Sequence, residues 1–107
     1  MKVIFNDWIP FRGFQGINLF GFLFVRNEFK DKDNTILFNH EAIHTIQMQE
    51  LGYLLFYVLY GLEWFFKLPF YGKSAYDHIS FEKEAYAHEE EPDYLSRRKP
   101  FAQWFKD

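Results

Sequence analysis

Apolar residues fall along this chain in different patterns, and each pattern predicts a different element. The stretch "GINLFGFLFVR" at 16–26 is dense in Phe and Leu but broken by Gly16 and Gly21, which disfavour helix. It reads as strand. Both of its faces are largely apolar, which predicts a strand covered on both sides or a sheet lying under helices. A polar turn, "NEFKDKDN" at 27–34, follows, and Asp33, Asn34 and Thr35 are N-cap candidates for a helix reaching about Glu50, near Gly52. A second helix is expected over 51–66, "LGYLLFYVLYGLEWFF", stopping before Pro69. Ser80 is an N-cap candidate for a third helix, "FEKEAYAHEEE", ending at Pro92, with Glu82 and Glu84 in the first turn where the helix dipole favours them. Asp93 begins a short final helix broken at Pro100. The fold class this predicts is α+β: a small N-terminal β-sheet packed with about three main α-helices, as one domain over 107 residues.

The second helical stretch raises the question of a membrane. It spans 51–66, short of the roughly 20 apolar residues a bilayer crossing needs, and it contains Glu63. A buried helix, packed between the first helix and the sheet, is therefore expected. A peripheral membrane contact through Tyr53, Tyr57, Tyr60 and Trp64 is the lesser reading. The N-terminus "MKVIFNDWIP" lacks the unbroken apolar core of an export signal, so a cytoplasmic location is expected.

Composition narrows the chemistry. Aromatic residues make up 23 % of the chain, so its core is expected to be built from large, few-rotamer side chains. The net charge is −3 and no basic stripe is present, which argues against nucleic acid as a partner. Arg97, Arg98 and Lys99 read as a solvated helix end, as do Glu89, Glu90 and Glu91. Cysteine is absent, so a metal would have to be held by histidine, carboxylate or water.

The candidate chemistry lies in "FNHEAIH" at 38–44. On a helix His40 and His44 share one face a turn apart, so both imidazoles can reach one ion. Glu41 lies about 100° around from His40 and cannot easily join them as a ligand. It can hold a metal-bound water and shuttle its proton. A third ligand must come from elsewhere. Glu82 and Glu84 point about 200° apart on their helix, so both cannot serve one ion.

The pairing of H-E-x-x-H with "FEKEAY" at 81–86 resembles the gluzincins, zinc metallopeptidases whose third ligand is a glutamate on a following helix in an E-x-E-A-D pattern. The overall layout, with Gln47 after the second histidine, is similar to the minimal members called minigluzincins. The resemblance implies zinc held by His40, His44 and Glu82, peptide or protein as substrate, and attack by a zinc-bound water activated by Glu41. Glu84, His78 and His88 are the other candidates for the third position. Tyr86 stands where the family has an aspartate that orients a zinc-binding histidine. Tyr86, Glu63 or Asn39 is expected to take over that orientation, and Tyr86 is also a candidate donor to the oxyanion. His78, Tyr71, Tyr76 and Tyr94 are further candidate donors. Two other functions fit the same residues: a non-catalytic zinc-binding domain, and an aromatic membrane-surface or interaction module. The segment 93–107, with Phe101, Trp104 and Phe105, is a candidate gate over the site.

Overall fold

The structure, a computed structural model, describes residues 1–99. Three strands form one sheet: β1 (Lys2–Asn6), β2 (Gly16–Leu19) and β3 (Phe22–Arg26), in the order β1-β3-β2. β1 runs parallel to the central β3, and β2 pairs with it antiparallel through a tight connection at Phe20 and Gly21. Four α-helices follow: α1 (Thr35–Glu50), α2 (Leu54–Tyr71), α3 (Ser80–His88) and α4 (Tyr94–Arg97). The α+β class expected from the sequence is what the structure shows. Pro100 and the Phe101, Trp104 and Phe105 cluster lie outside the described residues.

The sheet is covered on one face only. Leu23 and Val25 are fully buried, while Ile17, Leu19 and Phe22, on the opposite face, are exposed. The expectation of a doubly covered strand is corrected by this. The period of two separates the faces, and only the side bearing Asn18, Leu23 and Val25 meets the helices.

α1 begins where Asp33 accepts hydrogen bonds from the backbone N–H and hydroxyl of Thr35, at 3.0 and 2.6 Å. Asn34 turns away, donating to the Phe29 carbonyl and accepting from Gln15. At its far end the chain reverses through Gly52 and Tyr53, both at positive φ. Only a residue without Cβ enters that region freely, so Gly52 carries the bend and Tyr53 is strained.

α2 differs most from expectation. Phe56 is its one buried residue among the 18, and the helix is not sandwiched between α1 and the sheet. Phe56 joins Met48, Ile79 and Phe81 in the main core cluster, with Tyr57, Leu59 and Tyr60 packed around it. The helix also passes through Pro69 and ends at Tyr71. The proline offers no N–H to the Phe65 carbonyl one turn back, and its ring crowds that carbonyl. Among the described residues no single helix is long and apolar enough to cross a membrane; α1 and the α2 helix meet at 111°.

Glu63 faces inward from α2 and caps α3. Its Oε1 accepts from the Ser80 N–H at 2.8 Å, the Ser80 hydroxyl at 2.6 Å and Lys67 at 2.7 Å. Glu63 therefore does not orient a histidine, as was expected of it. Ser80 is the first residue of α3 rather than its cap, because a carboxylate from another helix already meets the orphan N–H.

Candidate metal centre

The buried residues of α1 are His40, Ile43, His44, Thr45, Gln47 and Met48. Positions 40, 43, 44, 47 and 48 form the stripe a helix ordinarily fills with apolar side chains. Here three of the five are His40, His44 and Gln47. Buried polar groups must find partners, and these find them on α3. α3 approaches closely because Ala85, wholly buried against Ile43, is small. The approach brings Glu82 between the two histidines.

The resulting cluster is tight. Glu82 Oε1 lies 3.0 Å from His40 Nε2 and 3.0 Å from His44 Nε2, and the two Nε2 atoms are 3.1 Å apart. All three residues are at most 6 % exposed.

Each ring is held from behind. His40 Nδ1 is 2.6 Å from Glu89 Oε2. A carboxylate accepts, so Nδ1 donates and the lone pair of a neutral ring falls on Nε2. His44 Nδ1 is 2.8 Å from Gln47 Oε1. The Gln47 amide cannot be turned over, because its Nε2 donates to the Phe81 carbonyl at 3.1 Å and to Glu84 Oε1 at 2.9 Å, both acceptors only. His44 Nδ1 therefore also donates.

Two imidazole lone pairs and a carboxylate oxygen thus converge on one point, which calls for a positive charge among them. Donors about 2.0–2.1 Å from a tetrahedral ion stand about 3.3 Å apart, a few tenths of an ångström from what is observed. The donor set fits a divalent ion of borderline softness. Burial opposes the charge on His44, but the hydrogen bond and charge of Glu82, with Glu41 behind them, raise its pKa to about 9. Burial works against the Glu82 charge too, yet His40, His44 and Tyr60 hold that carboxyl far below its ordinary range.

Tyrosines close the rest of the centre. The Tyr60 hydroxyl donates to Glu82 Oε2 at 2.6 Å. Burial and the adjacent Glu82 charge push the phenols of Tyr60 and Tyr76 far above their ordinary value, so both stay protonated donors. Two clefts, of about 310 and 340 Å³, flank the cluster and share Gly16, Glu41 and Tyr76 as lining. Glu41 thus faces open space on both sides of the ligands. Burial raises its carboxyl pKa, partly offset by His44 and His40. Its backbone is fixed by Asn18 of β2, which donates to the Glu41 carbonyl and to Thr45 Oγ1 at 3.0 Å each.

Several sequence expectations are corrected here. The orientation of His40 falls to Glu89, not to Tyr86, Glu63 or Asn39. Tyr86 lays its ring edge-on against His40, centroids 4.7 Å apart, and lines the cleft with Glu41. Asn39 donates to the carbonyls of His88, Glu89 and Glu91 at 3.2, 2.9 and 2.9 Å, which ends α3 and turns Glu89 back towards His40. Glu84 is no ligand; it bonds Gln47, Tyr94 and Arg98 on the far side of α3. Arg98 is no solvated helix end: its side chain is 2 % exposed, between Glu84 and Glu50. His78 stacks on Tyr71 and His88 on Tyr94, all four away from the cluster.

Sequence reasoning missed Glu89, Tyr60 and the part played by Gln47. Gln47 alone left a trace, a polar residue at a core position of α1. Comparison of the chain with protein-family models, curated proteins and solved structures finds no match in any of the three.

Proposed function

We propose that the chain is a zinc-dependent hydrolase of peptide bonds, of the gluzincin kind its sequence resembles, with His40, His44 and Glu82 as the metal ligands. The observation that carries this reading is the convergence of three buried donor atoms within 3.1 Å of one another, beside a carboxylate that opens onto two clefts. A bound zinc ion would acidify water and polarise a carbonyl.

The chain's own residues supply the rest. Glu41 takes a proton at its carboxylate and returns it to the departing amine, a transfer that needs no ligand role from it. Tyr76 and Tyr86, at the rim, are the candidate donors to a developing oxyanion. Tyr60 holds the second oxygen of Glu82, leaving Oε1 for the ion. Glu89 and Gln47 fix both imidazole tautomers, so the ligands are oriented before metal arrives. The apolar wall of the smaller cleft, at Met48, Phe56 and Tyr57, gives an unfolded or short peptide a place for an apolar side chain.

The test compares wild type with Glu41→Gln on a mixture of unstructured peptides, with bound metal measured beside turnover. The reading expects hydrolysis by the zinc-loaded wild type, and its loss in Glu41→Gln with zinc retained. A zinc-loaded wild type that cleaves nothing would instead make the ion a structural tie between α1 and α3.

A further inference from the structure

α2 is an amphipathic helix turned inside out. Its charged residues, Glu63 and Lys67, face inward to Ser80 and the His78 carbonyl. Its most apolar arc faces outward: Leu54, Leu55 and Val58 in the first half, Leu62 in the middle, Phe65, Phe66 and Phe70 in the second, each between 47 and 83 % exposed. Side chains of roughly 150–250 Å² exposed to that extent leave on the order of 800 Å² of apolar surface. That exceeds the roughly 300–600 Å² of the largest patch on an ordinary monomer.

We propose that this stripe is the interface of a two-fold symmetric homodimer, in which two copies of α2 cross antiparallel about Leu62. Three observations select a second copy of the chain. The area matches the roughly 800 Å² each partner contributes to a standard stable interface. The stripe is self-complementary: rotation about Leu62 sets Leu54 against Phe70 and Val58 against Phe66, small aliphatic against large aromatic at each step. A parallel pairing would place phenylalanine on phenylalanine and leave the leucine half underfilled. Finally, Gly61 borders the stripe about 100° around from Leu62, with nothing within 4 Å of a Cβ built there, so no side chain at that position stands between the stripe and a second copy.

A bilayer is the weaker match for this face. Interfacial helices carry free Lys or Arg on their polar side, whereas the lysine within α2, Lys67, is committed to Glu63 and the chain carries a net charge of −3. The dimer is independent of the metal chemistry proposed above. It leaves the clefts at Glu41 where they are, since they lie on the inward side of α2.

The test uses the axis. In an isologous interface Leu62 meets its own copy, so either charge there is repelled by itself. Analytical ultracentrifugation of the full chain is expected to give twice the 13.1 kDa chain mass. Leu62→Lys and Leu62→Glu should each sediment as monomers with unchanged circular dichroism, and mixing the two should restore a one-to-one dimer. Trp8→Lys, on an exposed loop, should leave the wild-type mass unchanged. A monomeric wild type would overturn the proposal, as would a dimer that survives both Leu62 variants. Failure of the mixture to re-form dimers, with wild type instead floating on phosphatidylcholine vesicles, would overturn it in favour of lipid.

Discussion

Replacing Gln47 by leucine tests how the centre is held. Gln47 is fully buried and joins His44, the Phe81 carbonyl and Glu84 through bonds of 2.8, 3.1 and 2.9 Å. Leucine keeps the volume and removes all three. Without Oε1, nothing fixes His44 Nδ1 as the protonated nitrogen. Loss of such a partner behind a metal-binding histidine costs about 10- to 100-fold in affinity, or about 1.4–2.7 kcal/mol. Folding suffers separately, because the His44 Nδ1–H is left unpaired in a dry interior at about 1–3 kcal/mol. Zinc affinity is read by competition with a chromophoric chelator, and stability by urea unfolding in the presence of excess chelator. Ile43→Val is the control: equally buried, in the same helix, bonded to no ligand. It should lose about 0.5–1.5 kcal/mol of stability and no metal affinity. Wild-type zinc affinity in Gln47→Leu, with stability alone reduced, would refute the reasoning and reduce Gln47 to core filling.

Glu89→Ala should lower zinc affinity about 10- to 100-fold by freeing the His40 ring, with Glu89→Gln, which retains an acceptor, falling between it and wild type in the same chelator competition. Arg98→Met leaves the Glu84 and Glu50 carboxylates without their shared guanidinium and should cost about 3–5 kcal/mol in urea unfolding; a loss below about 1 kcal/mol would show the pair to be solvated. Glu63 concerns pH. Burial raises its pKa, but Lys67 and Ser80 together lower it below the ordinary 4.5. A carboxyl depressed on folding stabilises above 4.5 and loses that contribution as the pH falls through its folded-state value. The acid limb of stability should therefore be shallower in Glu63→Gln than in wild type, with zinc affinity at neutral pH unchanged; equal limbs would contradict the capping role.

The parts of the site legible in the sequence are those whose chemistry sits at a fixed local spacing. His40, Glu41 and His44 lie within five residues on one helix, and geometry alone assigns their directions. Glu82 was legible through a second short pattern. Glu89 was not, because "EEE" reads as a solvated end until Asn39, 50 positions away, stops α3 and folds the turn back. Arg98 was hidden for the same reason: its two carboxylates come from α1 and α3, and no local pattern pairs them. The orientation of α2 was the largest misreading. Its outward arc is the more apolar, so hydrophobicity points the wrong way. What turns the helix is the set of polar ends that need partners, with Tyr57 reaching the Asn18 carbonyl, Tyr60 reaching Glu82 and Glu63 reaching Ser80. The sheet was foreseen in place and composition, but a period of two cannot say that one face remains bare.

The most direct measurement is bound metal per chain after zinc loading and exhaustive dialysis, for wild type, His40→Ala and Glu82→Gln, each checked for folding by circular dichroism. The predicted result is one zinc per wild-type chain, none in His40→Ala, and a much weakened site in Glu82→Gln. A folded wild type that retains no zinc, or one whose zinc survives both substitutions, would contradict a metal centre at His40, His44 and Glu82.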